Sequence, residues 1–292
     1  MRGNAEMHEL VAPGSLGAVL DLLAAQPGAW TPIAGGTELM VAFSAGRLEA
    51  HKLVSLWGIP DLRAIEVTPA GVTIGAATTF FDLRKHAAVN AALPLLAKAA
   101  SWIGSVANQS RATLGGNLVN GSPAADSSPV LLTYDAEIET ISLRGRRKVP
   151  YSEFHTGYKR NVLAADELLY AIHLPRRFAR HRQYLRKVGT RRAMAISKVA
   201  LAATALVERG VIAEIRLGAA SLAPYPVRLK QTEAALLGQA VTRETVLAAR
   251  RALLAEAQPI DDIRSTAEYR RRVAVNLLEE FLLELRREGS QP

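Results

Sequence analysis

Two short glycine-containing segments hold the residue types best suited to binding a charged ligand. The first glycine loop is Ile33–Glu38 and the second glycine loop is Thr113–Asn117, and in each a Gly-Gly pair precedes a small polar residue. Glycine permits positive φ and lets a ligand approach the main chain closely. Successive free N–H groups in such a turn, with a helix start behind them, bind anions. The two loops therefore indicate a phosphate-bearing cofactor, with a pair of ordinary tight turns as the alternative.

A third polar segment follows the second glycine loop. Residues 120–129 contain too much Pro and Gly for a regular element. Within this segment Asp126 has two interpretations. Its carboxylate would accept hydrogen bonds from a sugar or polyol hydroxyl, or it would cap a short helix over Ser127–Leu132, a position that Asp suits well. Spacing alone favours the cap.

Other kinds of site are excluded or disfavoured by the sequence. The absence of cysteine removes disulfides, thiolate zinc sites, iron–sulfur ligation and a cysteine nucleophile. The six histidines are scattered and none forms an i, i+4 pair, so we expect no metal site. The dinucleotide motif G-x-G-x-x-G, the P-loop, G-x-S-x-G and H-E-x-x-H do not occur. We expect no residue of this chain to act as a catalytic acid or base.

The positive charge of the chain is concentrated in one stretch. The formal net charge is +9. The basic stretch, residues 176–192, contains no Asp or Glu and carries Arg176, Arg177, Arg180, Arg182, Arg186, Lys187, Arg191 and Arg192. Such a patch is typical of nucleic-acid binding, and a solvated basic surface is an equal alternative. Only Phe178 and Tyr184 are aromatic there, which gives base stacking little support.

The glycine loops are predicted to lie in different local structures. Ser15–Ala25 has the apolar spacing of an amphipathic helix capped by its first residue. Trp30–Ala34 is short and apolar, as expected of a strand, and Thr37–Ala45 is expected to be helical. The first glycine loop would thus connect a strand to a helix. By contrast, residues 107–120 lack periodicity and predict an ordered loop, and Arg144–Lys148 predicts a basic turn.

The second half of the chain has a different pattern. The 292 residues exceed the ~100–200 of a typical domain, so we expect two or three subdomains. A domain boundary is expected near Pro175–Arg180, where the pattern of polar and apolar residues changes. Beyond it, periodicity predicts two strands and then three helices, which are Ser197–Val207, Val211–Gly218, Glu233–Leu237, Glu244–Ala255 and Thr266–Arg287.

The sequence predicts neither a membrane span nor a secretion signal. Its longest weakly polar run, Val199–Val207, is far shorter than the ~20 residues that a spanning helix requires. Met1–Leu10 is polar and lacks the basic and apolar regions of a signal peptide. We therefore expect a cytoplasmic location.

Three segments occur in an order and at a separation that identify a family: Ala34–Leu39, Arg111–Asn117 and Ser122–Asp126. They resemble the FAD-binding medium subunits of molybdenum hydroxylases, of the xanthine dehydrogenase, carbon monoxide dehydrogenase and aldehyde oxidoreductase type. Glu38 stands where many relatives carry Asp, which leaves the helix start intact. Further blocks extend the resemblance over nearly the whole chain: Phe154–Tyr158, Asp166–Leu169, Leu174–Pro175, Tyr184–Arg192, Asp261–Arg264 and Glu268–Arg270.

The resemblance implies an α+β fold in three parts. A two-part FAD-binding domain of the PCMH type would span residues 1–177, with a small α/β part at 1–57 and a larger α+β part at 58–177. FAD would lie between these two parts. A C-terminal domain at 178–292 would contain a three-stranded antiparallel sheet packed on helices.

The resemblance also implies which residues bind FAD. The first glycine loop would wrap the diphosphate with main-chain N–H groups, and the second would complete this cradle. Asp126 would bond ribityl or adenosine hydroxyls, and Lys187 would line the isoalloxazine end and stabilise the reduced, anionic ring. The implied set is Thr31, Pro32, Ile33, Ala34, Gly35, Gly36, Thr37, Glu38, Ile103, Thr113, Leu114, Gly115, Gly116, Asn117, Asp126, Leu169 and Lys187.

The resemblance implies electron transfer rather than substrate chemistry on this chain. A large subunit would carry molybdopterin, a small subunit would carry two [2Fe–2S] clusters, and electrons would pass from them through FAD to NAD⁺ or another acceptor. The assembly would be a dimer of heterotrimers, closest in type to xanthine dehydrogenase. The basic stretch would face a partner subunit or an anionic acceptor. A stand-alone FAD-dependent oxidase or reductase of related fold is the alternative, and nucleic-acid binding is a third.

Overall fold

A small parallel sheet forms the N-terminal part of the molecule. The computed structural model describes residues 3–191 and 194–288. The strands of the small sheet lie in the order β1-β3-β2. Helix α1 buries Leu16, Val19, Leu20 and Leu23, the predicted apolar face, and the Ser15 side chain caps it. In chain order the elements are β1 (Glu9–Val11), α1 (Leu16–Ala25), β2 (Thr31–Ile33), α2 (Leu39–Ser44) and β3 (Lys52–Ser55).

The larger middle part is an antiparallel sheet covered by short helices. Its strands lie in the order β4-β5-β10-β6-β7, and a two-stranded hairpin, β8 with β9, stands beside it. The elements are β4 (Ile65–Val67), β5 (Gly71–Gly75), α3 (Phe80–Lys85), α4 (Ala87–Ala92), α5 (Pro94–Ala100), α6 (Val106–Gln109), α7 (Leu114–Asn120), α8 (Ser128–Thr133), β6 (Glu137–Ser142), β7 (Gly145–Pro150), α9 (Tyr151–Phe154), β8 (His155–Gly157), β9 (Arg160–Asn161) and β10 (Leu168–Pro175).

The C-terminal part contains the antiparallel sheet that the resemblance implies. Three long strands pair in the order β11-β12-β13, and a two-residue strand, β14, adds an edge beside β13. Its own core is formed between this sheet and the last helices. The elements are β11 (Arg182–Val188), β12 (Val199–Glu208), β13 (Val211–Ala220), β14 (Val227–Arg228), α10 (Lys230–Leu236), α11 (Arg243–Glu256) and α12 (Ala267–Glu288).

The structure corrects two local predictions and adds a strand that the sequence did not indicate. Residues 107–120 form most of α6 and all of α7 rather than a loop, because side-chain caps start both helices at Ser105 and Thr113. The basic turn predicted at Arg144–Lys148 is largely strand β7, whose cations pair with acids on neighbouring strands. Strand β11, inside the basic stretch, is also regular. Its exposed and buried residues do not alternate, so periodicity gave no signal.

The middle and C-terminal parts meet tightly at α8. A Cβ placed on Gly218 of β13 would lie 2.1 Å from the carbonyl oxygen of Pro129, so only glycine allows this approach. Just beyond α8, the Asp135 carboxylate accepts hydrogen bonds from Arg216 at 3.0 Å and Arg228 at 2.5 Å. This contact fixes the C-terminal sheet against the part of the molecule that carries the second glycine loop.

Candidate functional site

A cavity of about 680 Å³ lies between the N-terminal and middle parts. Both glycine loops line it, which brings together segments almost 80 residues apart in sequence. Its volume falls within the ~300–1,000 Å³ usual for small-molecule and cofactor sites. Leu23, Leu56, Leu163 and Leu168 provide apolar wall, and several asparagines provide polar wall. The cavity thus has the size and mixed lining that a dinucleotide requires.

The first glycine loop presents free main-chain donors to this cavity. It begins where β2 ends and leads into α2, as predicted. The N–H groups of residues 34–39 donate no hydrogen bond to any described residue, and Met40 is the first to bond back, to the Gly36 carbonyl at 2.8 Å. Gly36 has φ +73°, a conformation that side chains disfavour. Six consecutive free N–H groups at a helix start form an anion-binding nest.

The second glycine loop has no such free donors at residues 114–117. Leu114 N–H bonds Thr78 at 3.0 Å and Gly115 N–H bonds Ala76 at 2.8 Å. The next two N–H groups, of Gly116 and Asn117, bond to the side chain and carbonyl of Thr113. The main chain of this loop is therefore occupied in holding α7 in place. What the loop offers the cavity at those positions is side chains, chiefly the Asn117 amide.

Close packing explains one glycine of each pair. A Cβ on Gly35 would lie 1.7 Å from the Arg111 carbonyl oxygen, and a Cβ on Gly115 would lie 2.6 Å from the Ala76 Cβ. Neither space can hold a methyl group without movement of the main chain. Gly35 thereby allows the first glycine loop to pack directly against Arg111 and Ala112, which precede the second glycine loop.

Most residues that the sequence assigned to cofactor binding line the cavity. They are Thr31, Pro32, Ile33, Ala34, Gly35, Gly36, Thr37, Glu38, Ile103, Thr113, Gly115, Gly116, Asn117 and Leu169. Three do not line it: Leu114, Asp126 and Lys187. Leu114 is fully buried in the core of the middle part.

Asp126 and Lys187 are brought together with each other. Lys187 Nζ lies 2.5 Å from Asp126 Oδ2, and Ser197 Oγ donates to Asp126 Oδ1 at 2.5 Å. Burial raises the pKa of Asp126, and the Lys187 charge opposes this rise. Asp126 is not a helix cap, because α8 has Ser127 at its N-cap and no side-chain cap. The roles assigned to Asp126 and Lys187 toward FAD remain predictions.

Several residues that line the cavity were not predicted from the sequence. Asn108, Asn120 and Asn161 line the cavity, as does Glu167. Burial opposes the charge of Glu167, but hydrogen bonds from Arg147, Thr140 and the Ala164 main chain lower its pKa overall. Polar residues clustered in glycine-containing segments are the signal that points to the asparagines. Nothing in the spacing points to Glu167, which reaches the cavity at the position just before β10 begins.

Part of the basic stretch pairs with acids from elsewhere in the chain, through Arg177, Arg182, Arg186 and Lys187. Arg177 pairs with Glu214 at 2.7 Å, and Arg186 pairs with Glu280 of α12 at 2.5 Å. The last residue of this stretch, Arg192, lies outside the described residues. These ion pairs reduce the free positive charge that the sequence alone indicates for nucleic-acid binding.

Two further findings concern only residues 3–191 and 194–288. Within them, no three His, Asp or Glu side chains are grouped so that they could hold a metal ion. None of the helices there combines the length and apolar character needed to cross a membrane.

Comparison with known proteins gives a consistent assignment over the chain. Residues 5–177 match the FAD binding domain in molybdopterin dehydrogenase, and residues 184–285 match the CO dehydrogenase flavoprotein C-terminal domain. The xanthine dehydrogenase FAD-binding subunit of Escherichia coli O157:H7 is 33% identical over 258 residues, 88% of each chain. The carbon monoxide dehydrogenase medium chain of Hydrogenophaga pseudoflava is 30% identical, covering 94% of this chain and 95% of its own length. A solved structure of carbon monoxide dehydrogenase from the same organism superposes with a TM-score of 0.89.

Proposed function

The chain belongs to the family of FAD-binding subunits of molybdenum-containing dehydrogenases, and from this we propose that it transfers electrons within such an enzyme. It accepts them from [2Fe–2S] clusters on a partner subunit and passes them to NAD⁺ or another acceptor. When bound, FAD supplies the ability to take up electrons singly and release them as a pair. The chain's own task is to hold and orient that cofactor.

The observation that carries this proposal is the row of free N–H groups at residues 34–39 in the cavity wall. A diphosphate needs several donors, and main-chain N–H groups at a helix start supply them without a cation. In this site the first glycine loop binds the diphosphate, and Ile103 and Leu169 contact less polar parts of the cofactor. Apolar wall near Leu23 and Leu168 excludes water.

The division of labour among subunits follows from the same premise. This chain has no cysteine to ligate a cluster, so the [2Fe–2S] clusters belong to a small subunit and molybdopterin to a large one. The names of the relatives, an FAD-binding subunit and a medium chain, support this arrangement. We place the boundary between the FAD-binding and C-terminal domains at 177/178, a position supported by matched ranges that end at 177 and begin at 184. From the family resemblance of the sequence we also infer a dimer of heterotrimers.

A glycine substitution tests the cofactor site. Gly36→Val strains the positive φ of the anion nest and crowds Met40, whose Cγ would lie 3.3 Å from the new Cβ. We expect the purified chain to lose FAD, measured by flavin absorbance per protein. Gly238→Val is the matched control, because Gly238 has φ +74° against +73° for Gly36, does not line the cavity and has open space around it. Both variants carry the same backbone strain, and only the first should lose FAD. Retention of FAD by Gly36→Val would contradict the role of the first glycine loop.

Co-purification tests the subunit role. The chain should be recovered with a cysteine-rich small subunit and a long molybdopterin-binding subunit, and electrons should reach its acceptor only in that complex. Substrate oxidation at full rate by this chain alone would overturn the proposal.

A further inference from the structure

Three consecutive buried polar residues, Asp126, Ser127 and Ser128, each form a side-chain hydrogen bond with a different segment of the chain. Asp126 faces the C-terminal part, as described above. Ser128 Oγ accepts a hydrogen bond from the hydroxyl of Tyr151 in α9 at 2.7 Å. Ser127 lies between them, and its hydroxyl donates to Asn117 Oδ1 at 2.7 Å. Of the three, Ser127 alone bonds to a residue of a glycine loop.

The hydroxyl of Ser127 determines which way the Asn117 amide faces. Ser127 is fully buried, and Asn117 Oδ1 is the acceptor that its O–H has among the described residues. If the amide were turned over, this O–H would be buried without an acceptor, which folded proteins avoid. The oxygen of Asn117 is therefore held toward Ser127. Its Nδ2 group, which donates to no described residue, is left for the cavity that Asn117 lines.

This orientation matters because of what the second glycine loop lacks. The main-chain N–H groups of residues 114–117 are used within the protein, so the Asn117 amide is the donor that this segment presents to the cavity. An N–H donor attracts a phosphate oxygen, whereas an amide oxygen in the same place would repel one. The main chain of the neighbouring first glycine loop offers free N–H donors as well, which suits the same anion.

We propose that Ser127 is a positioning residue that holds the Asn117 amide with its N–H₂ group toward the diphosphate of the bound cofactor. The inference rests on the proposed FAD site and adds to it a residue outside both glycine loops. Ser127 does not line the cavity and acts through Asn117.

A double-mutant cycle on the full chain tests the coupling. FAD is removed, and its dissociation constant is measured from the quenching of flavin fluorescence on rebinding. We expect Ser127→Ala to weaken binding about fivefold, roughly the value of one hydrogen bond, and Ser127→Thr to restore most of it. In an Asn117→Ala background, Ser127→Ala should have no further effect. A fivefold loss that persists in that background would show a general structural role and overturn the inference.

Two controls separate this inference from its premise. Ser128→Ala removes the neighbouring buried hydroxyl, and it should lower the melting temperature without changing the dissociation constant for FAD. ADP, which carries a diphosphate, should lose affinity for Ser127→Ala as FAD does, whereas riboflavin, which carries none, should not. Equal effects on ADP and riboflavin would contradict the contact with the diphosphate. Failure of the unsubstituted chain to bind FAD at all would instead contradict the proposed function.

Discussion

The two glycine loops look alike in sequence and do different work in the structure. In the first, residues 34–39 leave every main-chain N–H free, and the helix that follows has Glu38 at its N-cap without a side-chain cap hydrogen bond. In the second, the N–H groups of residues 114–117 are all bonded, and Thr113 caps α7. A Gly-Gly pair therefore marks close approach of the main chain in both loops, but an anion nest in only one. What distinguishes them is where the neighbouring carbonyl groups lie, which a local sequence pattern does not contain.

The largest difference should appear when each close-packed glycine becomes alanine. Gly35→Ala would place its Cβ 1.7 Å from a main-chain oxygen, so the first glycine loop must move away from Arg111 and its N–H groups must lose their arrangement. We expect FAD affinity to fall by at least ~100-fold. Gly115→Ala displaces Ala76 and should cost about 1–3 kcal/mol of the free energy of unfolding, with a loss of only ~10-fold in affinity.

The comparison is made by measuring FAD dissociation constants and denaturant midpoints for both variants. Similar losses of affinity would mean that the two loops contribute equally to the site, against the difference in their main-chain hydrogen bonding.

A buried histidine near the end of α7 should make the free energy of unfolding depend on pH. His155 is buried close to Gly121, which ends α7, and burial lowers the pKa of its imidazole to about 4. The unfolded chain binds this proton near the ordinary value of ~6.5. Between these values the unfolded state binds more protons, so the free energy of unfolding should fall as pH drops from ~6.5 to ~4, by up to about 3 kcal/mol.

Denaturant unfolding at a series of pH values checks this dependence. His155→Gln removes the titrating ring and should flatten the slope between pH ~6.5 and ~4, the interval set by the two pKa values. If His155→Gln and the unsubstituted chain lose stability in parallel, the histidine is not the source.

The helix caps predict a smaller effect. Thr113 Oγ1 accepts the Gly116 N–H at 3.1 Å, and Thr113→Ala should lower the free energy of unfolding by ~1 kcal/mol. Thr113→Ser keeps the hydroxyl and should recover most of this. The first glycine loop has no equivalent bond to remove. Thermal melting of the two variants measures the difference, and equal melting temperatures for Ala and Ser would exclude a capping contribution.

The sequence predicted the site better where it depends on local geometry. The strand, glycine turn and helix around Gly36 are confirmed, since apolar runs and glycines determine them locally. The same approach failed at 107–120, because α6 and α7 are too short to show periodicity and are started by caps. Element bounds elsewhere agree within a few residues, as for α1, β12 and α12.

Long-range pairings were beyond a single sequence. Asp126 meets Lys187 across 61 positions, and Glu167 reaches Arg147 across 20. No local pattern specifies either pair, although the resemblance drew attention to Asp126 and Lys187 as separate residues. The basic stretch shows the same limit. Its charge is visible in the sequence, but the acids that pair with part of it, such as Glu214 and Glu280, come from later strands and helices.

The smallest expected effect concerns the carboxylate at the end of the first loop. Glu38 forms an exposed ion pair with Lys159 at 3.2 Å, with 58% and 43% of the two side chains exposed. Exposed pairs contribute less than about 1 kcal/mol, so Glu38→Gln should barely change stability. Removing a negative charge beside an anion nest should strengthen FAD binding slightly, by about twofold, and less so at high salt. A large loss of FAD would instead show that the carboxylate itself binds the cofactor, which would make the first glycine loop, like the second, depend on a side chain.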